Sequence, residues 1–230
     1  GAIAIGGPGS IFWMWIGGFL GMVTKFAEAS LAVRYRTKNS VGELVGGPMH
    51  MVVYGMGRRW RWLATTYAFF GVVAAFGVGN ATQINAVIGS INSAIVAFGG
   101  KESSVHNLLI GSILATIVGA AIWGGAKRIG QIAEKAIPII SCAYLLFALG
   151  VIALKWNTLP NAFLSIFKGA FSPVAVTGGA VGTFFQAMSV GTRRGVFTNE
   201  AGMGTASIAH AAADVRHPIE QGFMGIIEVF

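Results

Sequence analysis

Charge is scarce in this sequence: 16 Lys and Arg and 8 Asp and Glu in 230 residues, 10% in all, against roughly a quarter in a soluble globular domain. That deficit excludes a soluble enzyme core and a disordered tail. Cysteine is nearly absent as well. The single Cys142 lies in an apolar run, so no intrachain disulfide scaffold is available and the residue reads as a small core hydrophobe. His50, His106, His210 and His217 lack metal-ligand spacing, and neither a Gly-x-Ser-x-Gly elbow nor a Gly-x4-Gly-Lys-Ser/Thr phosphate loop occurs, so an enzyme has no motif to stand on.

What is present is apolar length. Hydrophobic residues make up 54% of the chain, mean hydropathy is +0.69, and 34 residues are glycine. Apolar stretches reach the roughly 20 residues that a helix needs to cross a hydrocarbon layer, which places the chain in the all-α polytopic membrane class. Length and breaks predict spans over about 11–33, 62–97, 107–124, 136–154 and an interrupted 174–196, with a sixth starting near 218. The second is too long for one straight crossing, and Gly71, Gly77 and Gly79 are where it can bend. The chain opens without Met and stops within an apolar run, so residues 1–230 read as one transmembrane domain that is an internal piece of a longer protein.

The net charge of +8 sits in short clusters between spans, a pattern of membrane orientation and not of nucleic-acid binding. Arg34, Arg36, Lys38, Arg58, Arg59, Arg61, Lys127, Arg128, Lys135, Arg193, Arg194 and Arg216 all fall on one side of the alternating spans. Lys101, Lys155 and Lys168 fall on the other, so the richer side is cytoplasmic and the first span runs from outside to inside. Residues 37–60, broken by Gly46-Gly47-Pro48, are predicted to lie at the cytoplasmic interface.

Polar residues inside spans need a reason. Lys25 and Glu28 lie one turn apart on the first span, so mutual neutralisation is expected, with a proton relay as the alternative. Asn80, Thr82, Gln83, Asn85, Ser90, Asn92 and Ser93 cluster on the second, where they either bridge helices or meet a polar solute. The stretch from Thr183 through Gln186, Ser189, Thr192, Arg193 and Arg194 to Gly195 follows Gly178, Gly179 and Gly182. Its composition predicts a discontinuous helix, broken near Ser189–Thr192 and resuming at Thr198, Asn199 and Glu200. A broken helix frees carbonyls suited to an ammonium group or Na⁺, to which Ser189 and Thr192 add hydroxyls. A Gly-rich kink with an arginine pair at the boundary is the plainer alternative. Glu200 reads as a first-turn acid that also bridges to Arg193 or Arg194.

Gly6-Gly7-Pro8-Gly9 with Phe12-Trp13-Met14-Trp15, Thr24-Lys25-Phe26-Ala27-Glu28, Gly46-Gly47-Pro48-Met49 and, above all, Arg194 through Gly204 with His217-Pro218 resemble the alanine or glycine:cation symporters. The likeness covers nearly the whole chain. It implies an amino acid–polyamine–cation transporter, that is, a LeuT-like bundle of two inverted five-helix repeats of which this chain supplies helices two to six and the start of seven. It further implies a multi-pass protein of the cytoplasmic membrane, with no cofactor beyond the coupling ion. Na⁺, or H⁺, would move together with a small neutral amino acid such as alanine, glycine or serine. By position, Gln83, Phe185, Gln186, Met188, Ser189, Val190 and Gly191 would meet the amino acid, and Ala187, Ser189 and Thr192 the cation. Lys25, Glu28, Arg193, Arg194, Asn199 and Glu200 would serve scaffolding and gating. A channel or a membrane scaffold is the competing class, although no repeated ring of pore charges is visible.

Overall fold

The structure, a computed structural model, describes residues 1–79, 81–171 and 182–230. Asn80, Gly178, Gly179 and the first residues of the expected fifth span lie outside these, as do the side chains of Lys127 and Thr183. The architecture is almost entirely helical. In chain order come α1 (Ala2–Gly6), α2 (Gly9–Arg34), a two-stranded hairpin of β1 (Thr37–Lys38) and β2 (Leu44–Val45), and α3 (Pro48–Met51). Then follow α4 (Arg61–Ala74), α5 (Ala81–Ala97), α6 (Ser104–Ile122), α7 (Gly125–Leu154) and α8 (Leu159–Phe171). The chain ends with α9 (Gly182–Asn199), α10 (Thr205–Ala211) and α11 (Pro218–Val229).

Among the described residues, four segments are long and apolar enough to cross a membrane: Gly9–Arg34, Arg58–Ala97, Ser104–Ile122 and Arg128–Leu154. They coincide with the first four spans expected from apolar length. The long second segment passes through a π-helical turn at Ala75–Gly79, among the glycines expected to relieve it. One boundary needs correction. The fourth span was expected to begin near residue 136, whereas α7 starts at Gly125 and carries Pro138 inside. Residues 37–60 form the hairpin, α3, a π-helical turn (Val52–Met56) and a 3-10 turn (Arg58–Trp60), too short and broken to span.

Two compact units are present. Val72–Asn157 holds α5, α6 and α7, whose large apolar side chains are mostly exposed in the chain, as suits helices that meet lipid or further membrane helices. Within it Asn92 Nδ2 donates to Asn107 Oδ1 at 2.9 Å, joining α5 to α6 as interhelical glue. Ser90 and Ser93 instead donate back to carbonyls of their own helix.

Gly1–Gly71 together with Thr158–Phe230 forms the other unit, built around α2. Small residues set its closeness. A Cβ at Gly191 would lie 2.3 Å from the Ser10 carbonyl oxygen, and one at Gly195 would lie 3.3 Å from that of Met14. Ala187, Gly191 and Gly195 thus form a small-residue seam along which α9 meets α2. Gly222 and Gly225 do the same for α11, against Ser30 and Lys25. Phe12, Trp13, Phe171 and Phe184 close the α2–α8–α9 corner with ring centroids 4.9–6.2 Å apart, mostly edge-to-face.

Candidate functional site

The interruption lies elsewhere than its composition suggested. α9 is helical through Ser189, Gly191, Thr192, Arg193 and Arg194 up to Asn199, so the expected break at Ser189–Thr192 is corrected. The helix stops at Glu200–Gly204, where Glu200, Gly202 and Gly204 all take positive φ (49°, 84° and 79°). Glycine is required at Gly204 for space as well, since a Cβ there would lie 2.6 Å from the Tyr67 hydroxyl oxygen.

An interruption leaves carbonyls unpaired at one helix end and N–H groups at the next. Here α2 supplies the partners. The fully buried Lys25 donates from Nζ to the Asn199 carbonyl at 3.1 Å, at the negative end of α9. The Glu28 carboxylate accepts from the backbone N–H groups of Gly202 (3.2 Å) and Gly204 (3.1 Å), ahead of α10. Arg36 donates to the Ala211 and Val215 carbonyls, at 3.2 and 3.1 Å, where α10 ends. Tyr67 of α4 donates to the Met203 carbonyl at 3.1 Å. Two charges on α2, Lys25 and Glu28, and Arg36 just past its C-terminal end therefore each meet a helix end of opposite polarity.

This corrects the expectation that Lys25 and Glu28 neutralise each other. Lys25 pairs instead with Glu228 of α11 at 3.4 Å, and His210 Nε2 of α10 meets the other Glu228 oxygen at 3.0 Å. Nor is the bridge from Glu200 to Arg193 or Arg194 formed. Among the described residues both arginines are exposed without an ion pair, and Glu200 accepts from the Thr205 hydroxyl at 3.2 Å. Glu228, His210 and Arg36 were not singled out from the sequence as site residues. An acid in the last apolar run facing the buried lysine of the first span was the available signal.

His210 lies outside the candidate spans. Burial holds its imidazole below the ordinary range, against the opposing pull of the Glu228 carboxylate. The contacts agree with a neutral ring: Gln221 Nε2 lies 2.7 Å from Nδ1, and Nε2 faces Glu228. With the folded-state pKa depressed, the unfolded chain takes up the proton first, and stability is lost as pH falls through the ordinary imidazole range. The unfolding midpoint of the full-length protein is therefore expected to drop between about pH 7.5 and about pH 5.5. His210→Gln should flatten that slope; an unchanged slope would remove His210 from the account.

The remaining candidates divide by face. Ala187 and Gly191 are buried in the seam with α2, and Val190 packs beside Gly6 of α1. Gln186 Nε2 donates to the Ile5 carbonyl at 2.9 Å, and Met188 is half-buried. Phe185 and Ser189 lie one turn apart on the side of α9 away from the seam, Phe185 exposed and Ser189 half-buried. Thr192 borders the seam, its Cα 3.8 Å from where a Cβ on Gly17 of α2 would sit, and the residue is exposed. Gln83 is exposed on α5, in the other unit.

Against this geometry, the sequence model of the sodium:alanine symporter family matches residues 1–230. The chain belongs to that family. A sodium/alanine symporter, AgcS, of Methanococcus maripaludis is 41% identical over 100% of this chain and 49% of its own length. A probable sodium/glutamine symporter, GlnT, of Bacillus subtilis is 38% identical over 97% of this chain and 44% of its own. A putative sodium/proton-dependent alanine carrier, YrbD, of the same organism is 35% identical over 100% of this chain and 44% of its own. The chain spans about half the length of the curated relatives it matches. Membership makes this a chain of a transporter family and not of an enzyme family.

Proposed function

We propose that this chain is part of a secondary transporter of the cytoplasmic membrane that carries a small neutral amino acid together with Na⁺ by alternating access. The observation that carries the proposal is the family match over every residue of the chain. The names of AgcS and YrbD support alanine, while that of GlnT widens the class to glutamine. A LeuT-like inverted-repeat bundle is the architecture proposed with it.

On this reading the face of α9 bearing Phe185 and Ser189 contacts cargo, since the opposite face is consumed by packing on α2, and the exposed Thr192 reaches the same cargo from the edge of the seam. Ser189 and Thr192 offer the hydroxyl oxygens that a hard cation or an ammonium group prefers. Gln83 is proposed as a further amino-acid contact. Ala187 and Gly191, expected from the resemblance to touch cargo, are proposed to act through the seam that holds that face in place. Lys25, Glu28 and Asn199 fix the end of the same helix.

The test is alanine uptake into proteoliposomes holding the full-length protein, with and without an inward Na⁺ gradient. Uptake should saturate and collapse when K⁺ replaces Na⁺. Ser189→Ala and Gln83→Ala are each expected to raise KM about ten-fold, the loss of one hydrogen bond to a charged or polar solute. Unchanged kinetics in either variant would remove that residue from the site. Uptake that follows a proton gradient and ignores Na⁺ would overturn the choice of ion.

A further inference from the structure

A cavity lies where the chain turns into α4. Gly47 (φ 120°) leads into α3, the helix widens through the π-helical turn Val52–Met56, and Gly57 (φ 100°) reverses the chain into the 3-10 turn Arg58–Trp60. Inside this elbow is a cavity of about 660 Å³. Its wall is apolar: Met49 and Val53 on one arm, Ala64 and Ala68 on the other. Its polar lining includes Arg58 and Arg61, both exposed, together with His50.

Three features give its occupant a chemistry. Neither guanidinium group has an ion-pair or hydrogen-bond partner among the described residues, and the buried Nδ1 of His50 has no hydrogen-bond partner there either. Two free guanidinium groups beside a concave wall call for a phosphate or carboxylate. The position is that of a headgroup, because Arg58 opens the apolar segment Arg58–Ala97 on the arginine-rich side. Trp60 and Trp62, with ring centroids 6.3 Å apart, mark the same depth, where indole rings sit at the membrane–water interface. Finally, beyond the last lining residue, Ala68, α4 carries Phe69, about two helical turns past Arg61 and 64% exposed, which extends the apolar surface away from the arginines. A free phosphate ion would use the arginines and leave that wall uncovered.

We propose that this elbow binds an anionic phospholipid, its phosphate held by Arg58 and Arg61 and its acyl chain laid along Ala64, Ala68 and Phe69. The site is separate from the cargo-facing side of α9 and does not rest on the transport proposal.

The experiment is native mass spectrometry of the full-length protein presented with equal amounts of phosphatidylglycerol and phosphatidylcholine of identical acyl chains. Each arginine near an anionic headgroup is worth about a five-fold preference, so phosphatidylglycerol should be retained about 25-fold over phosphatidylcholine. Arg58→Gln and Arg61→Gln should each lower that ratio about five-fold. Arg59→Gln removes an equal charge from an exposed residue outside the cavity lining and should leave the ratio nearly unchanged. Equal retention of the two lipids overturns the proposal. So does a loss in Arg59→Gln as large as in Arg58→Gln, which would mean diffuse attraction to basic residues. Inorganic phosphate that displaces phosphatidylglycerol at comparable concentration would assign the arginines to a free anion instead.

Discussion

Replacing Glu28 by Ala is expected to lower the stability of the full-length protein by about 3 kcal/mol, because one carboxylate satisfies two backbone N–H groups and hydrogen bonds to charged groups contribute about 1.5–3 kcal/mol each. The half-buried position of Glu28 keeps the figure below the sum of two such bonds. Gly202 and Gly204 lie in the turn after α9, where the reversal of the chain takes their N–H groups out of the helical ladder, and they reach Glu28 at 3.2 and 3.1 Å. Glu28→Gln keeps one oxygen acceptor but turns an amide NH₂ toward an N–H, so about half of the loss should remain. Lys25→Met removes the donor to Asn199 and leaves Glu228 with His210 alone. The two side chains hold opposite ends of one turn, so the double variant should lose less than the two single losses combined, by about 1 kcal/mol. Reversible denaturation in micelles, followed by tryptophan fluorescence, reads these differences. A Glu28→Ala variant within about 0.5 kcal/mol of the parent would show that the turn holds itself.

The membrane helices were legible because their cause is local. Apolar length fixes α2, α6 and the apolar part of α7 without reference to any partner. α8 escaped notice because 13 residues containing Pro160, Asn161 and Lys168 fall short of a span, and its burial depends on the aromatic corner with α2. The helix break was misplaced for a related reason. Gly191 and Gly195 look like breakers in one dimension, yet they belong to a continuous helix and serve close approach to α2. Glycine composition does not distinguish packing from unwinding; the partner helix does. The true break requires Lys25 and Glu28 to meet residues more than 170 positions away, and no spacing rule along one helix reports such a pairing. The i, i+3 relation between those two charges was read correctly as a shared face. Its consequence was misread, since each charge found a helix terminus more favourable than the other charge.

Gly191→Val is expected to damage folding as severely as any single substitution in this unit. The Cβ of any residue at this position would lie 2.3 Å from the Ser10 carbonyl oxygen and 2.7 Å from the Trp13 Cβ, both parts of α2 that cannot turn away as a flexible side-chain tip can. Ser10 is fully buried, its hydroxyl donating to the Gly7 carbonyl at 2.7 Å, so the backbone opposite Gly191 is pinned. The helices must then separate along the seam, which loosens the contacts of Ala187 and Gly195 together. Overpacking of this kind costs about 1–3 kcal/mol for a methyl and more for a branched side chain. Gly111 of α6 supplies the contrast, since a Cβ there meets nothing within 4 Å and Gly111→Ala should gain up to about 1 kcal/mol of helix propensity. Gly191→Ala and Gly111→Ala thus add the same methyl with opposite expected signs. If both shift the unfolding midpoint in the same direction, the seam does not set the distance between α2 and α9. If they diverge, variants at Ala187 and Gly195 should follow Gly191, and the face bearing Phe185 and Ser189 is held in position by glycines on the other side of its own helix.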